Sequence, residues 1–302
     1  MNIHRLRLFV AVADHGGFSR AAEAFYISQP AVSAQIQRLE QELEVTLFQK
    51  VGREVRLTEI GEALYYYAVR IIALCDDAAE TIAQLRETKR RRIRIAATTT
   101  PGVYVLPGLI ERLTARNPEL RIEIEIGNRE YVLARIENFQ SDLGLVAGTV
   151  EERAFDVTPI MEDELVPVGA KDSPLARKAQ VSPEEFAAQR LFLREPGSAT
   201  RDRIDQEFRA LKLTPANVTE LPNTEAIKQA VQSGHGYAVV PRLAVKSEIE
   251  KGLISVINAP EFHLKRTISL VVSKESQASP VVRANLKAVE AEIEFLVKSE
   301  RV

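Results

Sequence analysis

The chain has 302 residues, 45% hydrophobic and 27% charged, a balance that supports folded modules of ordinary size and excludes wholesale disorder. Lys and Arg total 40 against 42 Asp and Glu, a formal net charge of −2, so a protein that coats nucleic acid by uniform positive charge is excluded and any nucleic-acid surface must be local. The single cysteine, Cys75, excludes an internal disulfide framework and a multi-thiolate metal site, and no apolar run reaches the length of a membrane span. The first residues, with His4, Arg5 and Arg7 in an amphipathic pattern, do not read as a cleaved signal; with the single cysteine the default expectation is a cytoplasmic protein without membrane contact, and no cofactor is expected.

In the first stretch, Leu6, Phe9, Val10, Val12 and Ala13 fall near helical spacing, and Gly16-Gly17 ends the pattern. Ser19 is placed to cap a second helix over Arg20 to Phe25. Ser28 is placed to cap a third, with Pro30 at its start, where a missing N–H costs nothing. The third helix carries Val32, Ile36, Leu39 and Leu43 on one face, and Gln29, Ser33, Gln35 and Gln37 are assigned to the opposite one. Strand-like pieces on either side of Gly52-Arg53 read as a hairpin. Three short helices and a wing make a winged helix-turn-helix over residues 1–58. No Asp or Glu occurs between Ala24 and Leu39, so the polar face of the third helix can approach phosphates without repulsion. Its amides and hydroxyl suit base edges, and Arg38, Lys50, Arg53 and Arg56 suit phosphate or minor-groove contact.

Thr58 is placed to cap a long helix, and residues 59–91 read as a linker and dimerisation segment. Its apolar positions Ile60, Leu64, Tyr67, Ile71, Leu74 and Ala78 step by 4, 3, 4, 3 and 4, a seam for a second copy of the chain or for the helix's own domain. Cys75, inside that pattern, is expected to be a small buried apolar residue.

Residues 92–302 alternate strand and helix patterns, implying an α/β domain with parallel strands and crossovers. Its length suggests two subdomains, one of about 92–161 with 267–302 and the other of about 162–266. Thr98-Thr99-Thr100 follows the first strand and precedes a helix expected over Gly102 to Arg116. Pro196-Gly197-Ser198-Ala199-Thr200-Arg201 is a second such turn, and Asn128 and Thr149 close two further strand ends. Hydroxyls and free N–H groups at helix starts suit a small anion, so Thr99, Thr100, Asn128, Thr149, Ser198, Thr200 and Arg201 are the candidate effector ligands; capping and turn roles are the alternative for each, and Arg194 can add charge. The histidines His4, His15, His235 and His263 have no metal-ligand spacing and no catalytic constellation stands out, so an enzyme is not expected. A bare solute-binding protein and an enzyme with a regulatory N-terminus are the competing readings.

The stretch Gly17-Phe18-Ser19, Ala21-Ala22, Ser28-Gln29-Pro30-Ala31-Val32-Ser33, Gln35-Ile36, Leu39-Glu40, Leu47-Phe48, Gly52-Arg53 and Leu57-Thr58-Glu59-Ile60-Gly61 resembles the signature of LysR-type transcriptional regulators. The resemblance continues through Leu106-Pro107, Asn117-Pro118, Asp142 to Val146, Asp163 to Val166, Ser173 to Ala176, Gly234-His235-Gly236 and Pro241, essentially the whole chain. It implies a homodimer or homotetramer that binds double-stranded promoter DNA, with RNA polymerase as a further candidate partner, and a two-lobed domain, like that of periplasmic binding proteins, holding a small-molecule effector between its lobes. It also implies that Gln29, Pro30 and Ser33 face the major groove and that Arg53 serves the wing. The segment Arg194 to Arg201, with Gly127-Asn128, is similar to the branch that regulates sulfur assimilation and carbon fixation, which implies an anionic effector such as a sulfur species or a phosphorylated metabolite. Two positions depart from the pattern: Glu44 stands where Gly is usual after the recognition helix, and Ala34 where a longer polar side chain is common.

Overall fold

The computed structural model describes residues 1–52, 54–85 and 92–299, and the chain forms two compact units, Met1–Lys89 and Arg90–Val302. Among the described residues no helix is long and apolar enough to cross a membrane.

The first unit is built from α1 (Ile3–Asp14), α2 (Phe18–Ala24), α3 (Gln29–Leu43), a hairpin of β1 (Phe48–Val51) and β2 (Glu54–Leu57), and α4 (Glu59–Leu85). Leu6, Phe9 and Val12 of α1, Ala21 and Ala22 of α2, and Val32, Ile36 and Leu39 of α3 close one apolar core with Leu47 and Ala68. Ser28 caps α3 as its position suggests, its Oγ accepting the Ala31 N–H at 3.4 Å. Ser19, by contrast, lies inside α2: that helix starts at Phe18 after an extended Gly17 and has no side-chain cap. At the end of α3, Glu44 takes the left-handed conformation, φ +57°, and the Val45 N–H donates to the Glu40 carbonyl at 3.0 Å. This C-cap is the one glycine usually supplies, here at the strain cost of a Cβ.

Thr58 starts α4, its Oγ1 accepting the Gly61 N–H at 3.0 Å and donating to the Thr46 carbonyl at 2.7 Å. Gly61 is required where α4 passes the Leu47 backbone just ahead of β1, since a Cβ there would lie 2.2 Å from the Leu47 carbonyl oxygen. The apolar seam of α4 divides between two faces. Leu64 and Ile71 lean on the unit's own core beside buried Ala68, whereas Ile60, Tyr67 and Leu74, one every seven residues, are 53%, 60% and 48% exposed. Cys75 is exposed as well, contrary to the buried role expected, because it falls on the solvent side of the same helix.

The second unit runs β3 (Arg92–Thr98), α5 (Thr99–Tyr104), α6 (Leu106–Arg116), β4 (Arg121–Gly127), α7 (Arg129–Glu137), β5 (Leu143–Ala147), β6 (Phe155–Ala170), α8 (Pro183–Ala187), β7 (Arg190–Arg194), α9 (Ala199–Ala210), β8 (Asn217–Leu221), α10 (Thr224–Gln232), β9 (Tyr237–Pro241), α11 (Arg242–Glu250), β10 (Ile254–Val256), β11 (Lys265–Ser273) and α12 (Pro280–Ser299). Strand order is β4-β3-β5-β11-β6-β9-β7-β8, with β10 on β6. The expected parallel pairing holds for β3 with β4 and β5 and for β7 with β8 and β9, but β6 and β11 pair antiparallel with each other and with their other neighbours. The 16-residue β6 escapes sequence reading because Pro159, Pro167 and the charged Glu162-Asp163-Glu164 interrupt its apolar pattern.

Two apolar cores flank these antiparallel strands, making two lobes. One gathers Ile93, Leu106, Leu145, Leu270 and Val289; the other gathers Leu165, Phe186, Leu193, Phe208 and Val239. Where β6 and β11 pass from one lobe to the other, their register shifts: Ile268 pairs with Met161 and Ser269 with Pro159, leaving Ile160 as a bulge. The helix expected over Gly102 to Arg116 is two helices broken at Val105, since Pro107 fits only the first turn of a new helix. The first of the two begins at Thr99, so Thr99 and Thr100 occupy its opening turn.

Candidate nucleic-acid face and effector cavity

Burial of Val32, Ile36 and Leu39 fixes the rotation of α3. Gln29, Pro30, Gln37 and Arg38 are then exposed and Ser33 half-buried, one outward surface of amides, a hydroxyl and a cation. Gln35 is not part of it. Two residues are about 200° on a helix, so Gln35 turns to the α1 flank, where its Oε1 accepts from Arg5 Nε at 3.3 Å. The two acids within α3 are occupied: Glu40 accepts the Leu47 N–H at 2.7 Å, and Glu42 accepts from Arg5 at 2.7 Å and from the Met1 amine at 2.6 Å. Those bonds, the Met1 ammonium's first, hold the Glu42 carboxyl below its ordinary range. In the hairpin Lys50 is exposed, Arg56 pairs with Glu54 at 2.8 Å, and Arg53 lies outside the described residues. Tyr26, left-handed at φ 55° and 96% exposed just ahead of the Ser28 cap, was not signalled by its sequence context.

In the second unit, Thr99, Thr100, Asn128, Ser198 and Thr200 line one cavity of about 220 Å³ between the lobes, with Arg129, Arg194, Glu195 and Arg266. Strand–helix turns bring them together. Thr99 and Thr100 open α5, Ser198 and Thr200 bracket the start of α9, and Asn128 caps α7 by accepting the Tyr131 N–H at 2.8 Å. Free N–H groups at helix starts carry partial positive charge toward such a space. Arg266 spans the lobes with a side chain 3% exposed. It donates to Thr100 Oγ1 at 2.9 Å, to Thr200 Oγ1 at 3.0 Å and to Asp163 Oδ2 at 2.8 Å. A hydroxyl that accepts from a guanidinium keeps its own proton to donate, and the hydroxyls of Thr99 and Ser198 have no partner among the described residues. Burial raises Asp163 above the usual carboxylate range and works against the charge of Arg266 too, although a guanidinium stays protonated. Arg194 grips Glu195 with two bonds of 2.7 Å; burial opposes the charge of Glu195, but these bonds outweigh it and hold the carboxyl low.

Two expected ligands fall elsewhere. Thr149, just past Gly148 with its positive φ, lines a neighbouring cavity of about 440 Å³ with Arg203, Lys265 and Thr267, a space that shares Arg129, Ala199 and Arg266 with the first. Arg201 is committed to Asp205 at 3.0 Å, Glu220 at 3.0 Å and the Arg194 carbonyl at 2.8 Å, and it does not line the first cavity. The cations that do are Arg194, Arg129 and Arg266. Arg129 stands next to Asn128 in the chain, a signal within reach, whereas Arg266 is remote in sequence from every other residue of the cavity.

Residues 3–62 match the family model for the bacterial regulatory helix-turn-helix protein, lysR family, and residues 86–294 match the LysR substrate binding domain. The HTH-type transcriptional regulator CysL of Bacillus subtilis is 32% identical over 89% of this chain and 90% of its own. A probable RuBisCO transcriptional regulator of Cyanophora paradoxa is 32% identical over 93% of this chain and 89% of its own. The regulatory domain of CcmR from Synechocystis, solved in complex with 2-PG, superposes with a TM-score of 0.61 at 27% identity, covering 66% of this chain and 96% of that one. With an exposed amide-bearing helix face in one unit, a hydroxyl-lined cavity between two lobes in the other, and a family match to each, the chain belongs to the LysR family of bacterial transcriptional regulators.

Proposed function

We propose that this regulator senses a small anion in the cavity between the two lobes and reads double-stranded promoter DNA with Gln29, Pro30, Ser33, Gln37 and Arg38, assisted by Lys50 and Arg53. The observation that carries the sensing half is Arg266, a buried guanidinium tying Thr100 of one lobe to Thr200 of the other beside two helix N-termini. A ligand with several acceptor oxygens can take donors from both lobes at once and so favour one arrangement of them. The 2-PG in complex with the CcmR regulatory domain makes a small anionic metabolite the first class to try here, with sulfate and phosphate as simple probes.

Residues 1–58 would then read DNA, 59–91 link and pair the subunits, and 92–302 sense the effector in the cytoplasm, with promoter output passing through RNA polymerase. The exposed Ile60, Tyr67 and Leu74 favour a homodimer, or a tetramer built from it, over a monomer, since an apolar row at heptad spacing suits a second helix. Calorimetric titration of the whole chain with sulfate, phosphate and 2-PG tests the sensing half. Thr99→Val should weaken the responding anion by about fivefold, one hydrogen bond's worth, while promoter affinity, resident in the other compact unit, stays within about twofold. Equal anion binding by wild type and Thr99→Val would sink the assignment.

A further inference from the structure

The helix that opens on the cavity with Thr99 and Thr100 ends in a second contact between the lobes. Tyr104, its last residue, donates its phenol to Glu225 Oε1 at 2.6 Å. Glu225 lies in the first turn of α10, and the residue before it, Thr224, accepts from Arg194 Nη1 at 3.4 Å. One turn on, Lys228 has a side chain only 7% exposed and pairs with Glu225 at 3.0 Å and with Glu248 of α11 at 2.8 Å; its ammonium lies 6.0 Å from the centre of the Tyr104 ring. Burial, followed by the bond to Glu225, pushes the Tyr104 phenol up, so it remains a donor at neutral pH. Burial opposes the charge of Lys228, but its two carboxylate partners prevail and raise it.

Both walls of the cavity therefore run back to one cluster. The α5 wall reaches it through Tyr104, and the Arg194 wall reaches it through Thr224 and Glu225. Six helical residues span about 9 Å, too short a rod to bend, so a displacement at Tyr104 is felt at Thr99. Gly102 holds the rod close to β4: a Cβ there would come within 2.9 Å of Ile126 Cδ1. The Lys228 ammonium is buried against Glu248, whose side chain is 16% exposed, and that partly desolvated pair is costly to separate, which makes Lys228 an anchor for the more exposed Glu225.

We propose that Tyr104, Glu225 and Lys228 form a rear tie that positions both walls of the anion cavity, making them positioning residues for the ligand without touching it. The proposal rests on the anion-sensing reading above, and its test separates the two. Inorganic sulfate is titrated calorimetrically into the whole chain, and amide hydrogen exchange is followed without any anion. Tyr104→Phe keeps the ring and removes the bond. It should weaken sulfate by about three- to tenfold, and it should be non-additive with Thr99→Val in a double-mutant cycle. It should also speed exchange over residues 98–105 and, in the other lobe, over residues 194–200. Glu225→Gln, which leaves an oxygen for Tyr104 but weakens the hold on Lys228, should do the same to a smaller degree. Unchanged or strictly additive sulfate binding, or faster exchange confined to residues 101–105, overturns the tie. If wild type fails to bind sulfate, the anion reading is in question and the exchange result alone decides the tie.

Discussion

The exposed face of α3 and the cavity between the lobes use polar side chains in opposite ways. On α3 the two outward amides and the half-buried Ser33 hydroxyl come from one continuous helix and bond little within the chain; the buried face beneath them does all the positioning. In the cavity the polar groups come from segments as far apart as Thr100 and Arg266, and several are already bonded to one another. An exposed, locally encoded surface tolerates change one residue at a time, whereas a buried, cross-linked one fails as a unit.

A break as large as any in that contrast should come from Arg266→Gln. It strands the Asp163 carboxylate, whose side chain is fully buried and whose Oδ1 already lacks a partner. A loss of about 3–5 kcal/mol is expected, read as a lowered denaturant midpoint for the second unit; an unchanged midpoint would mean Asp163 is not charged there. Next comes Ser33→Arg, which puts a long cation on the reading face without disturbing the core. Sequence-specific preference should fall by about 4 kcal/mol or more toward non-specific binding, measured by gel shift on a promoter fragment and on unrelated DNA at one salt concentration. Finer still is the pair Gln37→Ala and Gln35→Ala. The first should cost about 1–3 kcal/mol of base discrimination and the second close to none, because only Gln37 faces outward; equal losses would place the groove on the wrong side of α3. The smallest effect belongs to Glu44→Gly, which relieves a left-handed side chain and should stabilise the first unit by up to about 1 kcal/mol, visible as a higher melting temperature with DNA specificity intact.

The same contrast explains what could be read from residues alone. Ser28, Pro30 and the spacing of Val32, Ile36 and Leu39 encode α3 locally, so its start, length and buried face follow from pattern. Gln35 is harder to place from residues alone, because its amide suits the outward face while the 100° step per residue turns it toward Arg5 of α1. The threonine turns were legible for a similar reason, as each is a strand end followed by a helix start. Arg266 and the pairing of β6 with β11 were not legible, because a guanidinium at the edge of a strand announces no partner 166 residues away. Arg201 and Thr149 stood in the expected turns, but acids at Asp205 and Glu220 hold Arg201, and Thr149, just past Gly148, lines the neighbouring cavity. The likeness to regulators of carbon fixation extends over nearly the full chain, so local loop divergence has not erased the branch.

The bulge at Ile160 bears on how the lobes can move. Elsewhere β6 and β11 are laced by a regular ladder, and bending that ladder means stretching several hydrogen bonds at once. At Ile160 the lacing is already interrupted, so flexure concentrates there. With both strands crossing side by side, any bending at that point would be a swing about a single pivot, and Arg266, only two residues from Ile268, lies beside it.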